Sequence, residues 1–197
     1  MSKALKIGRG FKFSPYTFAI ERAEQNRKLN CCGINPMIFG DNVEISMLGL
    51  PAINVLMAAD IPILGGVHLS QRFRQIEPFE LEEPITVNGQ ILNIDPHPRG
   101  CILHCKFTYT KRNGKVCVVA ERSGIITSGP KKPSRGIPRP EEELEGFLEI
   151  KRRKLVPSLV AAYSNEAGNL IHSDPVVAKE HGFRAPIAAG LMGIHFY

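Results

Sequence analysis

The sequence predicts an α+β domain in which an antiparallel sheet packs against one buried helix. Two observations indicate this class. A single strongly apolar helix signal at residues 51–59 is followed by several consecutive strand signals, and a tight-turn signal joins the last two strands. Because helices do not alternate with strands along this stretch, the pattern does not favour a doubly wound parallel sheet.

The helix signal is the segment PAINVLMAA, residues 51–59, in which Asn54 is the only polar residue. Proline suits the first turn of a helix, because its missing amide proton would have no partner there. A helix that is apolar nearly all round is expected to be buried, here against a sheet. Pro62 and the pair Gly65-Gly66 then end the helix and turn the chain.

Four strands are predicted after this helix, at residues 67–76, 84–94, 101–110 and 116–126. The third has the clearest alternation, with apolar residues at every second position: Cys101, Leu103, Cys105, Phe107 and Tyr109. The dipeptide Asn113-Gly114 between the last two strands is typical of a tight hairpin turn. Asn88-Gly89 is a candidate bulge in the second strand.

The composition is that of an ordinary globular protein, with 197 residues, 43% hydrophobic and 22% charged. It excludes disordered, collagen-like and coiled-coil chains, and no apolar run is long enough for a membrane span. The N-terminus lacks the apolar core of a secretory signal, and the odd cysteine count favours a reducing cytoplasm. The pattern Cys101-x-x-His104-Cys105 has no second half elsewhere, so we predict neither a metal site nor a cofactor.

The formal net charge of +6 is concentrated in a few segments. Residues 1–30 form a basic region, and two further basic clusters lie at residues 131–139 and 151–154. No basic stripe interleaved with aromatic residues supports nucleic-acid binding. Solvated surface is the simplest interpretation, and contact with the phosphates of coenzyme A is the alternative.

Residues 129–140, with four prolines and two glycines, predict a linker without regular structure. A short strand-like segment at 147–150, helices at 158–166 and 174–181, and an apolar helix near Gly190 are predicted after it. Leu191, Met192, Ile194 and Phe196 would leave this last helix exposed unless it docks on another surface.

The residues that carry chemistry lie in the segment 163–192. His172 follows a Gly-Asn turn and precedes Ser173-Asp174-Pro175, which is a good helix start. A histidine on such a turn can act as a general acid or base. From the residue types alone a structural histidine remains the commoner alternative.

Residues 169–175 (NLIHSDP), 178–179, 182–183 and 186–192 (PIAAGLM) resemble the MaoC-like hydratases, which have the hotdog fold. In that fold an antiparallel sheet wraps around a long apolar helix. The upstream half resembles the first domain of double-hotdog members, through its apolar helix and the following GGVHL segment. The resemblance implies a first hotdog at 1–128 with a basic arm at 1–12, a linker at 129–146, and at 147–197 the start of a second hotdog that is incomplete in this sequence.

The resemblance also implies an activity, the addition of water to an enoyl thioester or its removal from a 3-hydroxyacyl thioester. In the family an Asp and a His activate water, and a backbone amide binds the thioester carbonyl. His172 matches the family histidine and Gly190 the glycine that supplies this amide, while Ala189 stands where the family usually has histidine. The carrier would be coenzyme A or acyl carrier protein, and a homodimer is expected.

One family residue is missing. The family reads Ser-Gly-Asp-x-Asn-Pro-Ile-His, and its Asp falls on Ala167 in an ungapped alignment or on Asn169 with a two-residue deletion. An amide cannot take a proton from water, so activity that depends on His172 and Asn169 should be strongly impaired. The alternative is a catalytically silent hotdog protein that binds acyl thioesters or has a regulatory role. In either case Gly190 and Ala189 are the expected substrate-binding residues.

Overall fold

The computed structural model describes residues 7–63, 65–127, 146, 148–150, 152–164 and 168–196. It contains strands β1 (Tyr16–Phe18), β2 (Val67–Gln75), β3 (Ile85–His97), β4 (Gly100–Lys111) and β5 (Val116–Thr127). The helices are α1 (Arg22–Cys31), α2 (Gly49–Ala58), α3 (Pro157–Tyr163), α4 (Pro175–Glu180) and α5 (Gly190–Ile194). Short 3-10 helices cover Pro36–Phe39, Ile45–Leu48 and Leu170–His172.

The five strands form one antiparallel sheet in the order β1-β3-β4-β5-β2. This confirms the predicted α+β class and the four predicted strands. The hairpin between β4 and β5 turns at Asn113-Gly114, where Lys111 N–H donates to the Lys115 carbonyl at 3.0 Å and Gly114 has a φ of 82°. The described part of the N-terminal arm follows the edge of β3, since Gly10 N–H donates to the Ile91 carbonyl.

The predicted bulge at Asn88-Gly89 is wrong. These two residues pair in continuous register with Thr108 and Phe107, and the register shifts between Ile91 and Asn93 instead. Gly89 has a packing role, because a Cβ at this position would lie 2.6 Å from the Phe107 ring. The glycine therefore leaves space for an aromatic neighbour rather than bending the strand.

The main core lies between the inward face of the sheet and α2. Phe107 and Tyr109 of β4 are fully buried there with Leu56 of α2. The Tyr109 hydroxyl donates to the Leu48 carbonyl at 2.6 Å, which fixes the chain just before α2 begins. The resemblance implies a long helix, whereas α2 has ten residues, close to the average helix length.

The sequence pattern did not predict β1 or α1. Helix α1 is polar, with the sequence RAEQNRKLNC, yet Gln25 is buried. Its side chain donates to the Asn42 carbonyl at 3.0 Å and accepts from Glu44 N–H at 2.8 Å. Because long-range hydrogen bonds satisfy this buried amide, apolar periodicity carries no signal for the helix.

The C-terminal helices dock on α1 and form a second, smaller core. We call it the C-terminal core, and its buried members are Cys31, Cys32, Val160, Tyr163, Leu191 and Met192. Helix α5 therefore covers its apolar face on the first half of the chain. Arg153 supports the docking, since its guanidinium donates to the Cys32 carbonyl at 2.6 Å and lies 5.4 Å from the centre of the Phe196 ring.

Three predictions for the second half need correction or concern residues outside the described ranges. Residues 148–150 form no strand, and Phe147 and the linker residues 129–140 lie outside the described residues. The helix predicted at 158–166 ends at Tyr163, and 165–166 are likewise outside. The division into a first hotdog, a linker and an incomplete second hotdog stays a prediction.

Three side chains join α5 to the chain before α2. His195, whose side chain is fully buried, has Nδ1 2.9 Å from Glu44 Oε2 and 2.6 Å from Ser46 Oγ. Burial alone would raise the pKa of Glu44, but the hydrogen bonds with His195 and Ser46 outweigh it, so the pKa of Glu44 is lowered. The ionised carboxylate therefore stabilises the folded chain.

This network predicts a pH-dependent stability. A lowered folded pKa contributes stability above the ordinary carboxyl pKa, and the contribution is lost as pH falls through the folded value. Between about pH 5 and pH 3 we expect the melting temperature to fall more steeply in the natural chain than in Glu44→Gln. The exposed pair Glu149 and Arg152 offers the control variant Glu149→Gln, which should follow the natural chain. Parallel curves for the natural chain and Glu44→Gln would contradict this role.

Candidate functional site

A cavity of about 270 Å³ lies between α2, the inward face of the sheet and the segment 169–191. Most of its lining is apolar, including Leu50, Ile53, Met57, Leu103, Ile126 and Ile187. The ionisable lining residues are Lys28, His68, Arg122, Tyr163 and His172. All four sequence-predicted site residues, Asn169, His172, Ala189 and Gly190, line this same cavity.

The backbone of Ile187 holds both the chain just before His172 and the His172 ring. Ile187 N–H donates to the Ile171 carbonyl at 3.2 Å, and the His172 Nδ1 lies 2.7 Å from the Ile187 carbonyl oxygen. A carbonyl can only accept, so Nδ1 carries the proton and Nε2 keeps its lone pair. Burial lowers the pKa of His172, although its bond to Ile187 opposes the shift. The ring is thus a neutral imidazole whose free nitrogen can take a proton.

The short 3-10 helix Leu170–His172 sets the spacing between Asn169 and His172. His172 N–H donates to the Asn169 carbonyl at 3.4 Å, and Asp174 then caps α4 by accepting from Val176 N–H at 2.7 Å. Asp174 therefore serves the helix start, as the Ser173-Asp174-Pro175 pattern predicts. Asn169 brings an amide, not an acid, to the cavity.

No Asp or Glu is present among the described residues that line the cavity. Glu166, the nearest carboxylate to Asn169 in sequence, lies outside the described residues together with Ala167. Among the described residues, no carboxylate therefore lines the cavity to activate a water molecule together with His172.

Gly190 begins α5 directly after Ala189. The first amides of a helix have no acceptor inside the helix, so the Gly190 N–H is available to a ligand. A Cβ at Gly190 would lie 2.8 Å from the His68 Cβ and 2.9 Å from its Nδ1. Only glycine lets α5 start this close to β2, which explains the residue type in physical terms.

Sequence reasoning missed His68 as a site residue, although its GGVHL segment supports the double-hotdog resemblance. Its Nε2 donates to the Ser70 carbonyl at 3.0 Å. Burial, reinforced by the positive charge of Arg122, lowers the pKa of His68 to about 4. His68 is therefore neutral at physiological pH.

Lys28 and Tyr163 form another missed part of the wall, where the C-terminal core meets the cavity. The Lys28 Nζ lies 4.7 Å from the centre of the Tyr163 ring. Burial lowers the pKa of Lys28 to about 8 and raises the pKa of Tyr163. The sequence of the polar helix α1 does not indicate that Lys28 lines a cavity, because Lys28 becomes part of the cavity wall only after α3 docks on α1.

Two basic residues predicted as possible phosphate contacts are engaged within the chain. Arg153 binds the Cys32 carbonyl, and Arg152 pairs with Glu149 at 2.7 Å. His104 pairs with Asp95 at 2.9 Å, and within the described ranges no three His, Cys, Asp or Glu side chains are placed to hold a metal ion. None of the described helices has the length and apolar character needed to cross a membrane.

Several solved structures have the same fold as this chain. HtdX of Mycobacterium tuberculosis superposes with a TM-score of 0.70 at 17% identity, covering 92% of this chain and 73% of that one. A MaoC-like dehydratase from Phytophthora capsici gives 0.69 at 18% identity, covering 96% and 73%. Full-length peroxisomal multifunctional enzyme type 2 of Drosophila melanogaster gives 0.66 at 17% identity, covering 94% of this chain and 36% of the enzyme.

No protein-family model and no curated protein sequence matches this chain. The structural matches extend over more than nine-tenths of its length, and therefore over the sheet and the C-terminal helices together. This coverage fits the double-hotdog resemblance. The chain has the hotdog fold of the MaoC-like dehydratases.

Proposed function

We propose that the chain is a hydratase or dehydratase of enoyl or 3-hydroxyacyl thioesters, with a low turnover that depends on His172. One observation carries the proposal: His172 and Gly190 line a single, largely apolar cavity. The acyl chain occupies the apolar part, and the Gly190 N–H donates to the thioester carbonyl. Nε2 of His172 exchanges the proton with water.

The charges that develop during hydration match the groups assigned to this site. When water adds to the enoyl group, the thioester oxygen gains negative charge, and a positioned N–H stabilises it in a site shielded from water. The neutral imidazole accepts a proton from water through Nε2 and returns it to the α-carbon. Asn169 holds the water by hydrogen bonding but takes no proton.

A silent acyl-thioester-binding protein is the second candidate, and the absence of a carboxylate among the described lining residues favours it. It shares the substrate class and the Gly190 contact with the first candidate. The two differ only in whether His172 turns the ligand over. A homodimer, a cytoplasmic location and coenzyme A or acyl carrier protein as carrier remain proposals under both, with no nucleic acid among the partners.

The test is hydration of crotonyl-CoA, followed by loss of the enoyl absorbance. We expect slow decay with the natural chain and a rate about 10²-fold lower with His172→Gln, since a positioned acid or base typically contributes ~10²–10⁴. A general base loses activity when pH falls to its pKa. Because the pKa of His172 is lowered, the rate should still be constant as pH falls to ~6.5 and should decrease only at lower pH. Equal rates for the natural chain and His172→Gln would reject the enzyme, while binding of butanoyl-CoA would then support the silent alternative.

A further inference from the structure

Arg122 lies on the inward face of β5, between positions that are apolar. Val118, Ala120 and Ile126 share this face and are buried, as the two-residue period of a strand requires. Arg122 lines the cavity, and its Nε is buried without a hydrogen-bond partner among the described residues. A guanidinium in this position is costly unless something binds it.

The neighbours of Arg122 leave its charge uncompensated. The ionisable groups that act on it most are Cys105 and Tyr109. Burial raises the pKa of Cys105 to about 12 and raises the pKa of Tyr109 as well, so both are neutral. Burial lowers the pKa of Arg122, yet an arginine stays protonated in proteins. With no carboxylate among the described lining residues, this part of the cavity is positive.

The cavity size indicates which part of a thioester meets Arg122. A volume of about 270 Å³ is below the usual range for sites that enclose a drug-sized ligand, ~300–1,000 Å³. It accommodates an acyl group but not the nucleotide of coenzyme A. An acyl group that carries its own anion is therefore the part of the thioester that fits beside Arg122.

We propose that Arg122 binds a carboxylate carried by the acyl group, so that the site takes thioesters of dicarboxylic acids. The inference rests on the acyl-thioester site proposed above and names its substrate class. The planar guanidinium matches a carboxylate with two parallel hydrogen bonds, which also fixes the distance from the thioester. One chain length should therefore fit best.

The experiment measures binding by calorimetry, using saturated thioesters that the site cannot hydrate. Three pairs differ only in a terminal methyl or carboxylate: butanoyl-CoA and succinyl-CoA, hexanoyl-CoA and adipoyl-CoA, octanoyl-CoA and suberyl-CoA. At one length we expect the carboxylate form to bind about tenfold tighter or more, as for a charge-assisted hydrogen bond. Arg122→Met should abolish this preference. Arg74→Met, an exposed arginine on β2 that does not line the cavity, should keep it.

Each remaining outcome is decisive. If the methyl-terminated thioesters bind as tightly at every length, or if the preference survives in Arg122→Met, the inference is overturned and the proposed function stands. If the natural chain binds none of the six, the proposed function itself fails. Arg122→Gln, a polar residue that removes the charge, replaces Arg122→Met if thermal melting shows that the latter does not fold.

Discussion

Asn169→Asp is expected to raise the rate of crotonyl-CoA hydration by about 10²-fold or more over the natural chain. The substitution supplies a carboxylate in the cavity that His172 also lines. A carboxylate can accept a proton from water and an amide cannot, and one positioned acid or base is typically worth ~10²–10⁴ in rate. The measurement is kcat/KM from the enoyl absorbance.

The matched control is Ala167→Asp, which restores the acid in the ungapped alignment. Only one of the two registers can place the carboxylate against the water at His172. Because Asn169 lines the cavity, we expect the gain from Asn169→Asp and little from Ala167→Asp. Adding His172→Gln to the active variant should remove the gain, because the pair acts as a unit. If the natural chain already turns over as fast as both variants, the impairment attributed to the missing acid is wrong.

Gly190→Ala is expected to destabilise the chain by ~1–3 kcal/mol and to weaken butanoyl-CoA binding. Its new Cβ would lie 2.8 Å from the His68 Cβ, so α5 must move away from β2. That movement displaces the Gly190 N–H from the thioester carbonyl. Chemical denaturation and calorimetry measure the two effects.

Gly193 of the same helix provides the control. Nothing lies within 4 Å of a Cβ built there, so Gly193→Ala should stabilise the chain by ~0.5–1 kcal/mol through helix propensity alone. Alanine is therefore expected to lower the stability of the chain at position 190 and to raise it at position 193 of the same five-residue helix. His68→Gly in the Gly190→Ala background removes the closest atom and should restore part of the stability. Equal effects at the two glycines would contradict the steric role of Gly190.

The predictable part of the fold is the part with a strong local period. Alternation in β4, the turn at Asn113-Gly114 and the apolar segment of α2 each carry their signal in fewer than fifteen residues. β1 has three residues and is defined by its pairing with Ile85–Val87 in β3, so its sequence alone is not informative. α1 depends on hydrogen bonds to residues 42 and 44, which no local pattern contains.

The candidate site divides in the same way. His172 and Gly190 could be predicted because the motif places them in one continuous segment. Arg122 could also have been predicted from the sequence. It is a charged residue at an inward position of a strand face that is otherwise apolar, and counting the alternation along β5 identifies it. Lys28 and His68 reach the cavity only through docking of distant elements, and sequence spacing does not encode that docking.

Because the molecule has two separate cores, we expect one part of it to unfold locally while the rest stays folded. Among the described residues, the C-terminal core has six buried members, whereas the core between sheet and α2 has more than twenty. The smaller core should therefore open at lower free energy, as a sub-global unit whose amides exchange with solvent before those of β3–β5. That unit forms one wall of the cavity. A ligand that binds in the cavity therefore stabilises the closed form, and ligand affinity and the protection of segment 169–191 are linked thermodynamic quantities.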